Sequence, residues 1–172
     1  LTELDPDAKI LINIRELGQL FGSVEAAHKK TRLLGYVDGT STHSSDVRAS
    51  QLFSENGVIG GPLKSLLEYK NNYLFSGQNP HVYYVAYEAL VKEPVETMHR
   101  VYKFMGAEPH DIDSRNLQVF SRESDSHYGM KWPHSTHDQI KEIKNHKILE
   151  EHQRTLIERY KWYYESFYQN FL

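Results

Sequence analysis

The sequence predicts an α/β domain, and three observations predict it. An apolar run rich in β-branched residues, Ile10-Leu11-Ile12-Asn13-Ile14, follows Pro6 and ends at Arg15, as a short buried strand does. From Glu16 the period changes: Leu17, Leu20, Phe21 and Val24 recur at helical spacing. A second aromatic and β-branched run, His81-Val82-Tyr83-Tyr84-Val85-Ala86, is again succeeded by a helical stretch, from Val95 to Phe104.

The elements are justified in order. The first helix is expected over about Glu16 to Leu34, with Gly35 as its C-terminal stop and with Glu25, Lys29 and Lys30 off the apolar face. His28 lies among charged neighbours there and reads as a solvated histidine. Tyr36 to Ser45 is small and polar, carries too little apolar surface to order itself, and reads as a long loop beside a substrate. Gly60-Gly61 reads as a turn, and Gly61-Pro62 starts a helix because proline needs no amide hydrogen in the first turn. Leu63, Leu66, Leu67, Tyr73 and Leu74 supply its buried stripe.

The turn Gly77-Gln78-Asn79-Pro80 introduces the second strand, and Glu88 just beyond it suits a structural carboxylate at a helix N-terminus. Gly106 closes the helix over Val95 to Phe104. Between Ala107 and Phe120 a proline-containing turn leads to an expected short helix with Ile112, Leu117 and Val119 as its apolar face. Asp138 to His146 and then Lys147 to Phe171 read as a terminal helical region. Four of the chain's 12 tyrosines cluster at positions 160, 163, 164 and 168, so the Leu149, Leu156, Ile157, Tyr160, Tyr163, Tyr164 and Phe167 of this region are expected to pack aromatically across the sheet.

Composition bounds the function. A chain of 172 residues can bury a real core, so residues 1–172 are expected to form one domain, soluble and cytoplasmic. A net charge of −3 argues against a general nucleic-acid binder, which needs a broad basic face. No cysteine is present, which removes disulfides, thiolate nucleophiles and Cys-based zinc sites. No run approaches the roughly 20 apolar residues of a membrane span, and the acidic beginning does not read as a signal peptide. His127, His134 and His137 lie close together, but without a helix to fix them or a carboxylate at ligand spacing no metal is expected. Oligomeric state is not legible.

The chemistry is expected at the strand ends. The first strand delivers Arg15 to its carboxyl edge, where open α/β sheets bind ligands, and the following helix brings the hydroxyl of Ser23. A planar guanidinium suits an anionic oxygen there, although an arginine at a strand end also commonly pairs with a surface carboxylate.

These residues carry a family resemblance. Pro6-Asp7-Ala8-Lys9, the apolar run, Arg15, and then Ser23 resemble the 3′-phosphate-binding segment of sulfotransferases. The Gly-Pro-hydrophobic helix start also resembles the family's segment ahead of its next core strand. Tyr87-Glu88-Ala89-Leu90-Val91-Lys92-Glu93-Pro94, followed by Val101-Tyr102-Lys103-Phe104-Met105-Gly106, is similar to the family's block after the adenine-side strand. The terminal Arg159-Tyr160-Lys161-Trp162-Tyr163 is similar to the last helix of short members.

The resemblance implies a P-loop-NTPase-like, three-layer parallel sheet flanked by helices. It implies transfer of a sulfuryl group from 3′-phosphoadenosine 5′-phosphosulfate to a hydroxyl or amine, leaving 3′-phosphoadenosine 5′-phosphate, with a small-molecule or carbohydrate acceptor. It implies that Arg15 and Ser23 hold the 3′-phosphate and that Tyr87 lies beside the adenine, with Ser121, Arg122 and Lys131 as further donor contacts. The family's Pro-Lys-x-Gly-(Ser/Thr)-(Ser/Thr) loop for the 5′-phosphosulfate does not occur, nor does its Arg-Lys-Gly run. The sheet is therefore expected to be incomplete at its amino-terminal end in this chain, and no catalytic residue is nominated. Two other readings stay open: a noncatalytic nucleotide-binding or interaction module, and a P-loop-type kinase fragment.

Overall fold

The structure, a computed structural model, describes residues 5–33, 44–73, 79–118, 138–140 and 149–168, with the backbone alone at residues 29–33 and 73. Strand β1 (Ile10–Ile14) leads to helix α1 (Leu17–Leu33), then α2 (Ser45–Leu52) and α3 (Gly60–Tyr73). Strand β2 (Val82–Ala86) runs directly into α4 (Tyr87–Lys92) and α5 (Pro94–Met105). The described chain ends in α6 (Glu151–Glu158), α7 (Lys161–Tyr163) and a π-helical turn, Tyr164–Tyr168.

The two strands pair in parallel, Ile10 opposite Val82 and Ile14 opposite Ala86. Successive side chains of a strand point to opposite faces, so Tyr83 and Tyr84 report on the two layers that cover the sheet. Tyr83 stacks on Phe104 of α5, ring centroids 5.2 Å apart, and Tyr84 meets Phe167 of the π-helical turn, also at 5.2 Å. Helical layers therefore lie on both faces of a parallel sheet. The first strand differs from the fully buried one expected: Leu11 and Asn13 are exposed while Ile14 is buried. In β1 half-buried and exposed residues alternate and only the last, Ile14, is buried, where the core of Ile14, Leu17, Phe21, Phe53, Leu63 and Tyr163 gathers.

Local chemistry sets the helix ends. Glu16 stands just outside α1, and its carboxylate accepts hydrogen bonds from the amides of Gly18 (2.9 Å) and Gln19 (2.6 Å), so it acts as a cap. Pro94 occupies the first turn of α5, and Gly106 ends it at φ 72°, a left-handed conformation that glycine adopts without a Cβ penalty.

Several expectations are corrected. Ser44 and Ser45 belong not to a loop but to the start of α2, where Ser44 caps the helix by accepting from the Val47 amide. Glu25 is not on an open face: it is 3 % exposed, and Arg48 of α2 grips it through Nε and a terminal guanidinium nitrogen, both at 2.7 Å. His28 is half-buried and its Nε2 is out of contact with solvent, so it is not a solvated side chain. Residues 111–118 form turns rather than a helix, because the Asp113 side chain takes the Arg115 amide and the backbone pairs with 138–140 instead, Leu117 N with Asp138 O and Ile140 N with Ser114 O. The terminal region is broken at Arg159–Tyr160, where the Tyr160 hydroxyl reaches the Phe53 carbonyl (2.8 Å). The expectations for Gly35, Leu74, Val119, Trp132 and the three clustered histidines fall outside the described residues.

Candidate functional site

Register builds the site. Because Ile14 and Ala86 are directly paired at the carboxyl ends of parallel strands, the next residues, Arg15 and Tyr87, emerge side by side. The guanidinium carbon of Arg15 lies 4.0 Å from the centroid of the Tyr87 ring. Cation and ring at that distance attract by about 0.5–2 kcal/mol, depending on desolvation. The stack also orients the fork, whose buried Nε has no hydrogen-bond partner among the described residues.

Both residues line a cleft of about 460 Å³ between the strand ends and α3. Its walls are mainly apolar, with Leu17, Leu20, Ile59, Leu63, Leu66 and Leu90. Among the described residues that line it, Arg15 is the one cation. Such a cleft suits a ligand with a flat or apolar body and one anionic group.

The turn that carries Arg15 is held by side chains. Its amide donates to the Tyr163 hydroxyl (3.1 Å), which in turn donates to the Arg15 carbonyl (2.8 Å). The Glu16 amide donates to Glu88 Oε1 (3.2 Å), so Glu88 has the structural role expected of it and also reaches across from α4 to the other strand. The Leu17 amide donates to the Tyr164 hydroxyl (3.2 Å), and that hydroxyl donates to Glu16 Oε1 (2.8 Å). Burial pushes the Tyr163 hydroxyl up to about 12, with Glu88 and Glu16 adding to the rise against the Arg15 backbone bond. Burial, then nearby carboxylates, raises Tyr164 beside Glu16 and Tyr168 beside Glu88. All three hydroxyls keep their protons at neutral pH and stay available as donors.

Of the residues singled out in the sequence, the structure brings Arg15 and Tyr87 together. Ser23 lies half-buried on α1, about 9 Å of helix rise beyond Leu17, and is not among the residues lining the cleft. Ser121, Arg122 and Lys131 lie outside the described residues. Sequence reasoning missed the bracing by Glu16, Tyr163 and Tyr164. A tyrosine on an apolar helical face scores as packing, and nothing local marks an oxygen whose partner lies about 148 positions away. Among the described residues, no three histidines or carboxylates gather as a metal site, and no helix is long and apolar enough to cross a membrane.

A family model described as "Sulfotransferase domain" matches residues 4–166. No curated protein and no solved structure matches the chain significantly.

Proposed function

The chain belongs to the sulfotransferase domain family, and we propose that it binds the donor 3′-phosphoadenosine 5′-phosphosulfate through Arg15 and Tyr87 for transfer to an acceptor hydroxyl or amine. The observation that carries this reading is the Arg15–Tyr87 stack at the paired carboxyl ends of two parallel strands, opening on the cleft. A buried Nε without a hydrogen-bond partner among the described residues, on an oriented fork, fits one phosphate, and the Tyr87 ring with the apolar walls fits a base. When bound, the donor would supply an activated sulfuryl group: its sulfur–oxygen bond to phosphate breaks, the phosphate oxygen keeping the electron pair, as a sulfur–oxygen or sulfur–nitrogen bond to the acceptor forms and the acceptor hydroxyl or amine gives up its proton.

This chain's own residues would do the following. Arg15 takes the 3′-phosphate by charge-assisted hydrogen bonds, and Tyr87 keeps its guanidinium in plane while packing beside the adenine. Ser121, Arg122 and Lys131 are further donor contacts on this reading, and Ser23, which does not line the cleft, would join them only at a part of the donor that extends beyond it. The apolar walls exclude water and so strengthen the ion contact. These contributions are to binding and register, which transfer through a loose transition state depends on. The acceptor is a small molecule or a carbohydrate, and nucleic acid is not among the partners.

The test is calorimetric titration of the whole chain with 3′-phosphoadenosine 5′-phosphate, in parallel with label transfer from the radioactive sulfate donor or from ATP. Binding that falls by about 1.5–3 kcal/mol in Arg15→Ala, the scale of a hydrogen bond to a charged group, supports the reading. Equal affinity of wild type and Arg15→Ala removes Arg15 from the site, and transfer from ATP alone would favour a kinase.

A further inference from the structure

The β1–α1 turn makes unusual use of side chains. Three consecutive amides, those of Arg15, Glu16 and Leu17, each donate to a side chain rather than to a backbone carbonyl. Two of the acceptors are neighbouring tyrosines at the far end of the chain, and each hydroxyl makes two bonds there. Tyr163 closes on both backbone groups of Arg15, and Tyr164 links the Leu17 amide to the capping carboxylate of Glu16. Tyr163 is 2 % exposed, so no bulk water replaces its oxygen.

We propose that Tyr163 and Tyr164 are positioning residues, whose hydroxyls fix the Arg15 backbone so that its guanidinium is presented on Tyr87 toward the cleft. The proposal rests on the reading of Arg15 as the anion-binding group. The physical argument is one of degrees of freedom. An arginine has several soft side-chain torsions, and a planar fork recognises an oxyanion only within narrow limits of distance and angle. Stacking on Tyr87 settles the far end of the side chain, while the near end is settled only if the turn cannot pivot. Phenylalanine at position 163 would fill the same volume, so the oxygen there is explained by its two backbone bonds and not by packing.

A purely structural hydroxyl is available as a control. Tyr160, in the same terminal segment, donates to the Phe53 carbonyl, which is not a residue of the cleft. The experiment compares Tyr163→Phe, Tyr164→Phe and Tyr160→Phe in the whole chain, with two readouts. The first is the chemical shift of the Arg15 side-chain protons, displaced upfield by the ring current of Tyr87. The second is the Kd for 3′-phosphoadenosine 5′-phosphate.

Tyr163→Phe is expected to lose most of the upfield displacement and to raise Kd about tenfold, the scale of a lost hydrogen bond. Tyr164→Phe should move both in the same direction, and Tyr160→Phe should leave both at wild-type values while lowering thermal stability. Retention of the shift in Tyr163→Phe, or its loss without any change in Kd, overturns the proposal. An equal response in Tyr160→Phe does the same. Should Tyr163→Phe fail to fold, Tyr164→Phe decides by the same criteria. If wild type does not bind the nucleotide, the donor reading falls while the ring-current comparison still decides whether the tyrosines position Arg15.

Discussion

Arg15 and Tyr87 lie on different strands, 72 positions apart in the chain, yet the guanidinium carbon of one sits 4.0 Å over the ring of the other. Parallel pairing at Ile14 and Ala86 brings this about, since each residue directly follows its strand's last paired position. The ring therefore serves two purposes on this reading: a platform for the arginine and a wall for the bound base. Tyr87→Phe keeps the face of the ring and is expected to bind 3′-phosphoadenosine 5′-phosphate nearly as wild type does. Tyr87→Leu removes the face and should weaken binding by about 0.5–2 kcal/mol, the range for a cation on an aromatic ring. Titration calorimetry of the two variants checks this, and equal losses would mean that the hydroxyl, not the face, matters.

The carboxylate of Glu25 and the guanidinium of Arg48 form a bidentate pair joining α1 to α2, with Ser45 adding a third bond to Glu25 (3.1 Å). Gln153 of α6, fully buried, donates to Ser45 (3.1 Å) and to Asp46 (3.0 Å), so the network spans three helices. Removing one partner leaves a charge in a buried place. Arg48→Met is expected to cost about 3–5 kcal/mol in urea unfolding, and adding Glu25→Leu to it should recover much of that loss. Additive losses in the double variant would show that the two side chains act independently.

What the sequence disclosed divides along physical lines. Ile10–Ile14 and Val82–Ala86 were legible because β-branched and aromatic runs bounded by turn residues have few other uses, and α5 was legible because Pro94 and Gly106 mark both its ends. The Arg15–Tyr87 juxtaposition could be expected only through the family resemblance, since it depends on register. Helix α2 was hidden because Ser44-Ser45-Asp46 reads as loop until the serine is seen as a cap. Glu25 misled for a related reason: a charged residue off the apolar stripe is ordinarily solvated, and its partner Arg48 lies on a helix that periodicity did not reveal. The bracing tyrosines are legible only as packing, because a hydroxyl's partner is a three-dimensional fact.

Gly60 was read as part of a turn, and its real constraint is steric. A Cβ there would lie 2.0 Å from the Ser54 carbonyl oxygen and 2.5 Å from that of Phe53, both backbone atoms with little freedom to retreat. At Gly61 the nearest atom would be 3.4 Å away, an ordinary contact. Gly60→Ala should therefore destabilise by about 1–3 kcal/mol or more, as overpacking does. Gly61→Ala should be neutral or stabilising by up to about 1 kcal/mol through helix propensity. Thermal unfolding of the pair checks the contrast, and similar Tm values would show that the α2–α3 connection yields easily. The Phe53 carbonyl also receives the Tyr160 hydroxyl, so Gly60→Ala is expected to loosen the terminal segment as well.

The buried hydroxyls predict an alkaline limit to stability. Tyr163 titrates near 10 when unfolded and is pushed up to about 12 in the fold, chiefly by burial. Below pH 10 both states hold the proton and its contribution is complete. Between pH 10 and about 12 the unfolded chain releases the proton while the folded chain retains it, so stability falls as pH rises through that window. Tyr164 and Tyr168 are raised in the same direction, first by burial and then by Glu16 and Glu88, so the three act together at the β1–α1 turn. Urea midpoints measured from neutral pH upward should stay level and then drop above pH 10, with the tyrosinate absorbance of the buried hydroxyls appearing as a step that accompanies unfolding. Tyr163→Phe begins less stable because two backbone bonds are lost, and its decline above pH 10 should be shallower because one of the retained protons is gone. An equally steep decline in that variant would assign the alkaline limit to other groups.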